Sequence, residues 1–291
     1  MKIKARVIIL WLISLIVFGL TLWIVTTPSR KDFRYLENIK GDVSKGKYVF
    51  NIAGCANCHS TLSSKIESAL GGGMAFQTTF GTFYAPNIST SKEYGIGNWT
   101  INDFANALKK GIDPENEHYF PVFPYTSYRL ISDKDLVDLW TFWQTLPAEE
   151  KVSRKHELKF PFSFRKSLVG WKFLYFDHEW VRVKTNPRGR YLVEALGHCA
   201  ECHTSRSIFG GLNRDKWLQG GTNPTGNGKI PGIAPEILNW SKEDIVEFLT
   251  TGFTPEFDVV GGKMVRVVEN TSRLSVADLD ALANYLMKLE N

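Results

Sequence analysis

Two pentapeptides hold all four cysteines of this chain: Cys55-Ala56-Asn57-Cys58-His59 and Cys199-Ala200-Glu201-Cys202-His203. The C-x-x-C-H spacing sets two thiols on one helical turn with an imidazole beside them. A single short segment can then form thioethers to both vinyl groups of one porphyrin and present a nitrogen to its iron. That is the chemistry of covalent c-type haem attachment. A zinc ribbon would set its two knuckles roughly 15–20 residues apart, far closer than these. A thioredoxin-like dithiol has no need of the histidine, and a Cys pair with two residues between them makes a poor structural bridge. Cys55, Cys58, Cys199 and Cys202 are therefore read as the attachment points of two covalently bound haem c groups, with His59 and His203 on the irons.

The rest of the chain must place these motifs. Its 291 residues leave room for two ordinary domains and something more. A hydrophobic content of 43% with 13% aromatic residues is globular, and the spread-out net charge of +5 gives no footprint for nucleic acid. Lys2, Lys4 and Arg6 precede an uncharged, mostly apolar run, Val7 to Thr26. As a helix this run measures about 30 Å, the thickness of a bilayer's hydrocarbon core. A cleavable signal would have a shorter apolar region and an A-x-A-like site, whereas Thr27-Pro28-Ser29 follows here. We therefore expect an uncleaved single-pass anchor in the cytoplasmic membrane. Arg30, Lys31 and Arg34 leave the charge bias weak, so the haem motifs set the orientation. C-type haem is attached outside the cytoplasm, which puts both motifs in the periplasm. The stretch from Lys31 to Lys40 reads as a polar tether.

Beyond it the same order of elements occurs twice. Gly46-Lys47-Tyr48 leads into the first motif as Gly189-Arg190-Tyr191 leads into the second, the latter after Asn186-Pro187, a cap followed by proline at the first helical position. Asn98-Trp99-Thr100 matches Asn239-Trp240-Ser241, each with an acid three residues on, Asp103 and Asp244, and each helix so started ends at a glycine, Gly111 or Gly252. Ser132 with Asp135, and Ser275 with Asp278, open two further helices that carry Leu136, Leu139, Trp140 and Trp143, or Leu279, Leu282, Ala283 and Leu286, at helical spacing. The pattern predicts an all-α chain with a membrane anchor over 1–30, one haem domain over 31–150, a connecting segment over 151–185 and a second haem domain over 186–291. The connecting segment is basic and aromatic. It would pack in the seam between its own domains, or dock on a membrane surface or a partner.

This element order resembles the class I cytochrome c fold. Gly81-Thr82-Phe83-Tyr84-Ala85-Pro86-Asn87-Ile88, Gly95-Ile96-Gly97 and Tyr119-Phe120-Pro121-Val122-Phe123-Pro124-Tyr125 resemble the cytochrome c subunits of membrane-bound bacterial dehydrogenases. The resemblance implies an electron carrier, with a dehydrogenase subunit as donor and quinone or an oxidase as acceptor. It implies that Pro86, and Pro235 in the matching Ala234-Pro235-Glu236-Ile237, offer carbonyls to the second nitrogens of His59 and His203. It also places an axial thioether on the loop that ends Gly261-Gly262-Lys263-Met264, so Met264 is expected on the second iron, where a thioether raises the potential. The first repeat has Phe123 or Pro121 at that place, depending on the offset used, and neither ligates. His118 on the same loop, Met74 after Gly71-Gly72-Gly73, or an open site remain for the first iron. His198 reads as packing, and His156 and His178 fall between the domains. No catalytic residue is assigned. An open first haem would make the chain a peroxidase-like dihaem enzyme instead of a carrier, and a non-haem metal module is the third class.

Overall fold

The computed structural model describes residues 2–60, 69–176, 179–182 and 186–288. Helix α1 (Lys2–Thr26) exposes its described apolar side chains between Val7 and Val25, and Arg6–Thr26 is long and apolar enough to cross a membrane. The expected polar tether after it is instead docked. Phe33 and Leu36 are buried beside a 3-10 turn (Arg34–Asn38), and the backbone N–H groups of Lys31 and Phe33 donate to the side chains of Asn106 and Asn102. Two apolar residues three apart fall on one side of a single turn, and their burial outweighs the charges around them.

The first repeat runs α2 (Val43–Ile52), α3 (Cys55–His59), β1 (Ala75–Thr78), β2 (Gly81–Tyr84), α4 (Ile101–Lys110), α5 (Tyr125–Tyr128) and α6 (Asp133–Trp143). The connecting stretch supplies β3 (Glu157–Leu158) and α7 (Leu168–Tyr175). The second repeat begins with α8 (Pro187–Arg190), capped by the Asn186 side chain and continued by a π-helical turn (Tyr191–Leu196). It goes on through α9 (Ala200–His203), β4 (Gly221–Thr222), β5 (Lys229–Ile230), α10 (Pro235–Leu238), α11 (Lys242–Thr251), α12 (Met264–Thr271) and α13 (Val276–Met287). The strands correct the all-α expectation. β1, β2 and β3 form an antiparallel sheet, β4 and β5 a second one. Phe76, Thr78, Thr82 and Tyr84 are β-branched or aromatic residues at alternate positions, a short pattern that suits a pleated hairpin.

In each repeat a glycine lets the leading helix press against the closing one. A Cβ on Gly46 would meet the Asp138 carbonyl oxygen at 2.0 Å, and one on Gly189 would meet that of Ala281 at 2.1 Å. Thr100 with Asp103 and Ser241 with Asp244 form complete capping boxes, and Gly111 and Gly252 end α4 and α11 with φ of 59° and 83°. The boxes expected at α6 and α13 close only halfway. Ser132 and Ser275 accept from the N–H of Asp135 and Asp278, but those carboxylates turn away to the other repeat. Asp278 accepts from the Tyr48 hydroxyl at 2.5 Å, and Asp135 from the Tyr191 hydroxyl at 2.6 Å. This reciprocal exchange joins the repeats, and one continuous apolar core draws buried residues from both, with Phe83, Phe120 and Leu168 in a smaller cluster of their own.

The connecting stretch packs against both. Arg165 donates to Asp113 and to the carbonyl of His118, Lys172 donates to the last carbonyls of α4, and the Trp171 indole donates to Phe209 O. His156 lies between Phe83 and Phe120, while His178 lies outside the described residues.

Candidate haem sites

The first motif is the single helical turn α3, entered through Gly54 in the left-handed region, and the second runs from Cys199 through α9. All four thiols are unpaired, three half-buried and Cys202 exposed. Burial pushes Cys55 and Cys199 up to about 12 and Cys58 to about 11. Burial thus keeps these thiols protonated in the bare chain. Among the described residues, no three His, Cys, Asp or Glu side chains converge on a metal.

The imidazoles are held alike in the two repeats. His59 Nδ1 donates to Pro86 O at 2.9 Å, and His203 Nδ1 donates to Pro231 O at 2.8 Å. A carbonyl only accepts, so Nδ1 carries the proton and Nε2 keeps its lone pair for a metal. Burial lowers both histidine pKa values, which keeps the rings neutral. A glycine completes each cradle. Gly72 and Gly220, at φ of 68° and 79°, donate their N–H groups to the carbonyls of His59 and His203. A Cβ on Gly72 would stand 2.4 Å from Pro86 O, and one on Gly220 would stand 2.8 Å from the Pro231 carbonyl carbon.

Pro86 therefore fills its expected role, while Pro235 does not. Pro235 is the first residue of α10 and its carbonyl accepts from Asn239 N within that helix. The correspondence runs from Pro86-Asn87-Ile88 to Pro231-Gly232-Ile233, since Ile88 N and Ile233 N donate to Leu70 O and Leu218 O. Spacing carries the signal: Pro86 lies 27 residues after His59, and Pro231 lies 28 after His203. The Ala-Pro-x-Ile likeness points instead to the later proline.

The loops on the other side are also equivalent. Ile112 bridges to His118 as Phe253 bridges to Val259, and Tyr119 N and Val260 N donate to Gly111 O and Gly252 O. That register matches Met264 with Phe123 and leaves Pro121 out. Met264 opens α12, half-buried against the core. Burial raises the thiols of Cys58 and Cys202, and the charge of the adjoining Lys263 opposes it. Phe123 stacks among Tyr119 and Tyr128, and Tyr128, raised by burial and then by the thiols of Cys55 and Cys58, stands next to the first motif. His118 is 5% exposed, and neither ring nitrogen has a hydrogen-bond partner among the described residues. Burial first, then the charges of Lys172 and Arg165, hold it down to about 4. Met74 O accepts from Ala85 N next to Pro86, so its backbone belongs to the wall that holds His59.

Each motif is hydrogen-bonded to the other repeat across the seam. Arg266 Nη1 donates to Asn57 O at 3.1 Å, Asn270 Nδ2 to Asn57 Oδ1 at 3.1 Å, and Thr126 Oγ1 to Glu201 Oε1 at 3.0 Å. His198 Nε2 lies 3.3 Å from Ala53 O, which also accepts from the Tyr128 hydroxyl. Arg266, Asn270 and Thr126 carry no sequence signal, because partners on the far repeat are set by how the two halves meet.

No protein-family model matches the chain. A diheme cytochrome c-type protein of Cereibacter sphaeroides is 44% identical over 274 residues, 92% of each chain. The fructose dehydrogenase cytochrome subunit of Gluconobacter japonicus is 34% identical over 84% of this chain, which spans about half of that protein, 52%. The cytochrome c subunit of the alcohol dehydrogenase (quinone) of Gluconobacter oxydans is 31% identical over 85% of this chain, which spans 54% of it.

Proposed function

The chain belongs to the dihaem c-type cytochromes, a family that includes cytochrome c subunits of dehydrogenases, and from that premise we propose that it is a membrane-anchored carrier of electrons from a partner dehydrogenase towards quinone or a terminal oxidase. It holds two covalently bound haem c groups. Bound haem c supplies one-electron iron chemistry. The chain's own residues decide how each group is held. Cys55 and Cys58, and Cys199 and Cys202, form the thioethers. His59 and His203 give Nε2 to the irons, with Pro86 and Pro231 fixing the tautomer and the ring plane. Met264 is the thioether ligand of the second iron, and His118 takes the matching role in the first repeat, its ring nitrogens being otherwise orphaned in a buried site. Each repeat forms one cytochrome c domain.

The observation that carries this reading is the pair of matched cradles, each on a motif that is bonded across the seam to the other repeat. It accounts for two attachment sites in one chain and for their closeness across the seam. Val7 to Thr26 keeps the chain in the cytoplasmic membrane, with both haem domains in the periplasm. The test is purification from detergent-solubilised native membranes. The chain should bring a dehydrogenase with it, and both haems should be reduced when that enzyme's substrate is added. Haems that stay oxidised while the co-purified dehydrogenase turns over would reject the carrier role.

A second reading rests on Phe123. With a phenyl ring in the place of the thioether, a first haem that His118 does not reach would be open, and the chain would be a peroxidase-like dihaem oxidoreductase. Rapid binding of cyanide or carbon monoxide at one haem per chain separates the two.

A further inference from the structure

The connecting segment has two unlike sides. Inward, Leu168 is buried and Trp171 and Lys172 bond to the second and first repeats. Outward it shows Phe160, Phe162, Phe164, Phe173 and Leu174, which are 89%, 40%, 58%, 90% and 63% exposed. Five large apolar side chains within fifteen residues are far more than scattered surface exposure, and a patch of that kind marks a contact.

Where the anchor leaves the fold says what the contact is. Arg30 follows Thr26, the end of α1, by four positions, a reach of about 14 Å at most. Arg30 is fixed by an ion pair to Asp103 and a hydrogen bond to Pro114 O, 3.2 Å. The loop carrying Pro114 is the same one that Arg165 grips through Asp113, 2.8 Å, and His118 O, 2.7 Å. The neighbouring Lys166 stands with its ammonium 5.7 Å from the ring centre of Trp23, near the end of the apolar helix. Tryptophan and lysine at the end of a spanning helix mark the headgroup level of a bilayer. The exposed phenylalanines begin two residues from Lys166, and Lys155 and Lys159 flank them on the other side.

We propose that the 159–174 segment is a second membrane contact, a wedge of phenylalanine and leucine side chains seated in the outer leaflet beside the anchor, with Lys159 and Lys166 on anionic phospholipid headgroups. This rests on α1 crossing the membrane. Aromatic and aliphatic side chains with flanking lysines are the composition of interfacial segments that lie in the plane of a bilayer. A soluble protein partner would also accept an apolar patch, but it would not explain why Lys166, two residues from Phe164, stands over Trp23. Two contacts, where a lone helix gives one, would stop the haem-bearing part from swivelling about α1.

Photo-crosslinking on the full-length haem-loaded chain tests this, in nanodiscs of phosphatidylcholine with phosphatidylglycerol. p-Benzoylphenylalanine replaces Phe160, Phe164 or Phe173, with Leu15 as the reference inside the anchor and Phe257, 91% exposed on the second repeat, as the reference in solvent. These are surface positions where an aromatic replaces an aromatic, Leu15 excepted, and unchanged haem content checks each fold. The expected result is lipid adducts at 160 and 164 roughly tenfold above Phe257, falling when phosphatidylglycerol is left out. Adducts at Leu15 with only the Phe257 level at 160, 164 and 173 overturn the wedge and spare the anchor. Adducts at 160 and 164 without any at Leu15 remove the anchor and with it overturn the segment as a second contact beside α1. Capture of a protein in place of lipid at 160 and 164 in native membranes overturns the wedge as well.

Discussion

At the scale of single residues, the loop that carries Met264 in the second repeat carries Phe123 in the first, and in the proposed ligation that pair decides what each iron would meet. Met264→Ala should lower the potential of the second haem by on the order of 0.1 V, a small part of the ~0.8 V range that axial ligands command. It should also abolish the charge-transfer band between sulfur and ferric iron. A redox titration and spectrum that match the wild type would return Met264 to packing. For the first repeat the orphaned ring of His118 is the discriminating group, because a buried imidazole with neither nitrogen bonded costs about 1–3 kcal/mol per unsatisfied group. His118→Ala should turn a low-spin first haem partly high-spin and open it to carbon monoxide. If that haem stays low-spin, His118 is not its ligand and the assignment passes to Met74, despite the place of the Met74 backbone beside Pro86.

Elements were legible where local chemistry decides them and illegible where the meeting of two halves does. Thr100 with Asp103, Ser241 with Asp244, and Asn186 before Pro187 are caps written within four residues, and each forms as the sequence implies. Asp135 and Asp278 carry the same local pattern, yet their carboxylates go to Tyr191 and Tyr48, partners that no window along the chain contains. Phe33 and Leu36 were hidden by the charges around them, and Pro231 by a stronger likeness four residues later. The glycines are a similar case: Gly46 and Gly189 read as parts of a repeated tripeptide, and only the crossing of α2 with α6 and of α8 with α13 shows why neither position has room for a methyl group. Gly189→Ala would press a Cβ to 2.1 Å from the Ala281 carbonyl oxygen and should cost about 1–3 kcal/mol. Gly170→Ala, on α7 with nothing within 4 Å of the added methyl, should stabilise by about 0.5–1 kcal/mol. Thermal unfolding of the two variants should move in opposite directions, and equal shifts would show that the crossing relaxes freely.

At the scale of the whole molecule, the question is whether two cytochrome-like repeats behave as two bodies. The apolar core is continuous from α2 and α6 to α8 and α13, and Tyr48 and Tyr191 reach across to the caps of each other's closing helices. Arg188 reaches Asp278 within its own repeat, at 2.7 and 2.6 Å, and with the Tyr48 hydroxyl it holds that carboxyl below the usual range. A carboxyl whose folded pKa lies below its unfolded value adds stability that is present above the unfolded value, about 3.9, and is lost as pH falls through the folded one. Stability should therefore drop below about pH 4, and Asp278→Asn should flatten part of that fall. A shared core and a reciprocal clasp should make the halves one cooperative unit. Chemical denaturation followed at the spectrum of each haem should give coincident transitions, and Tyr48→Phe, which removes one clasp near α13 while lying on α2, should lower both midpoints together. The hydrogen bond it deletes, to a charged group, is worth about 1.5–3 kcal/mol. Two separate transitions, with only one moved by Tyr48→Phe, would mean that the repeats fold as independent domains and that the seam between the motifs is a contact between finished bodies.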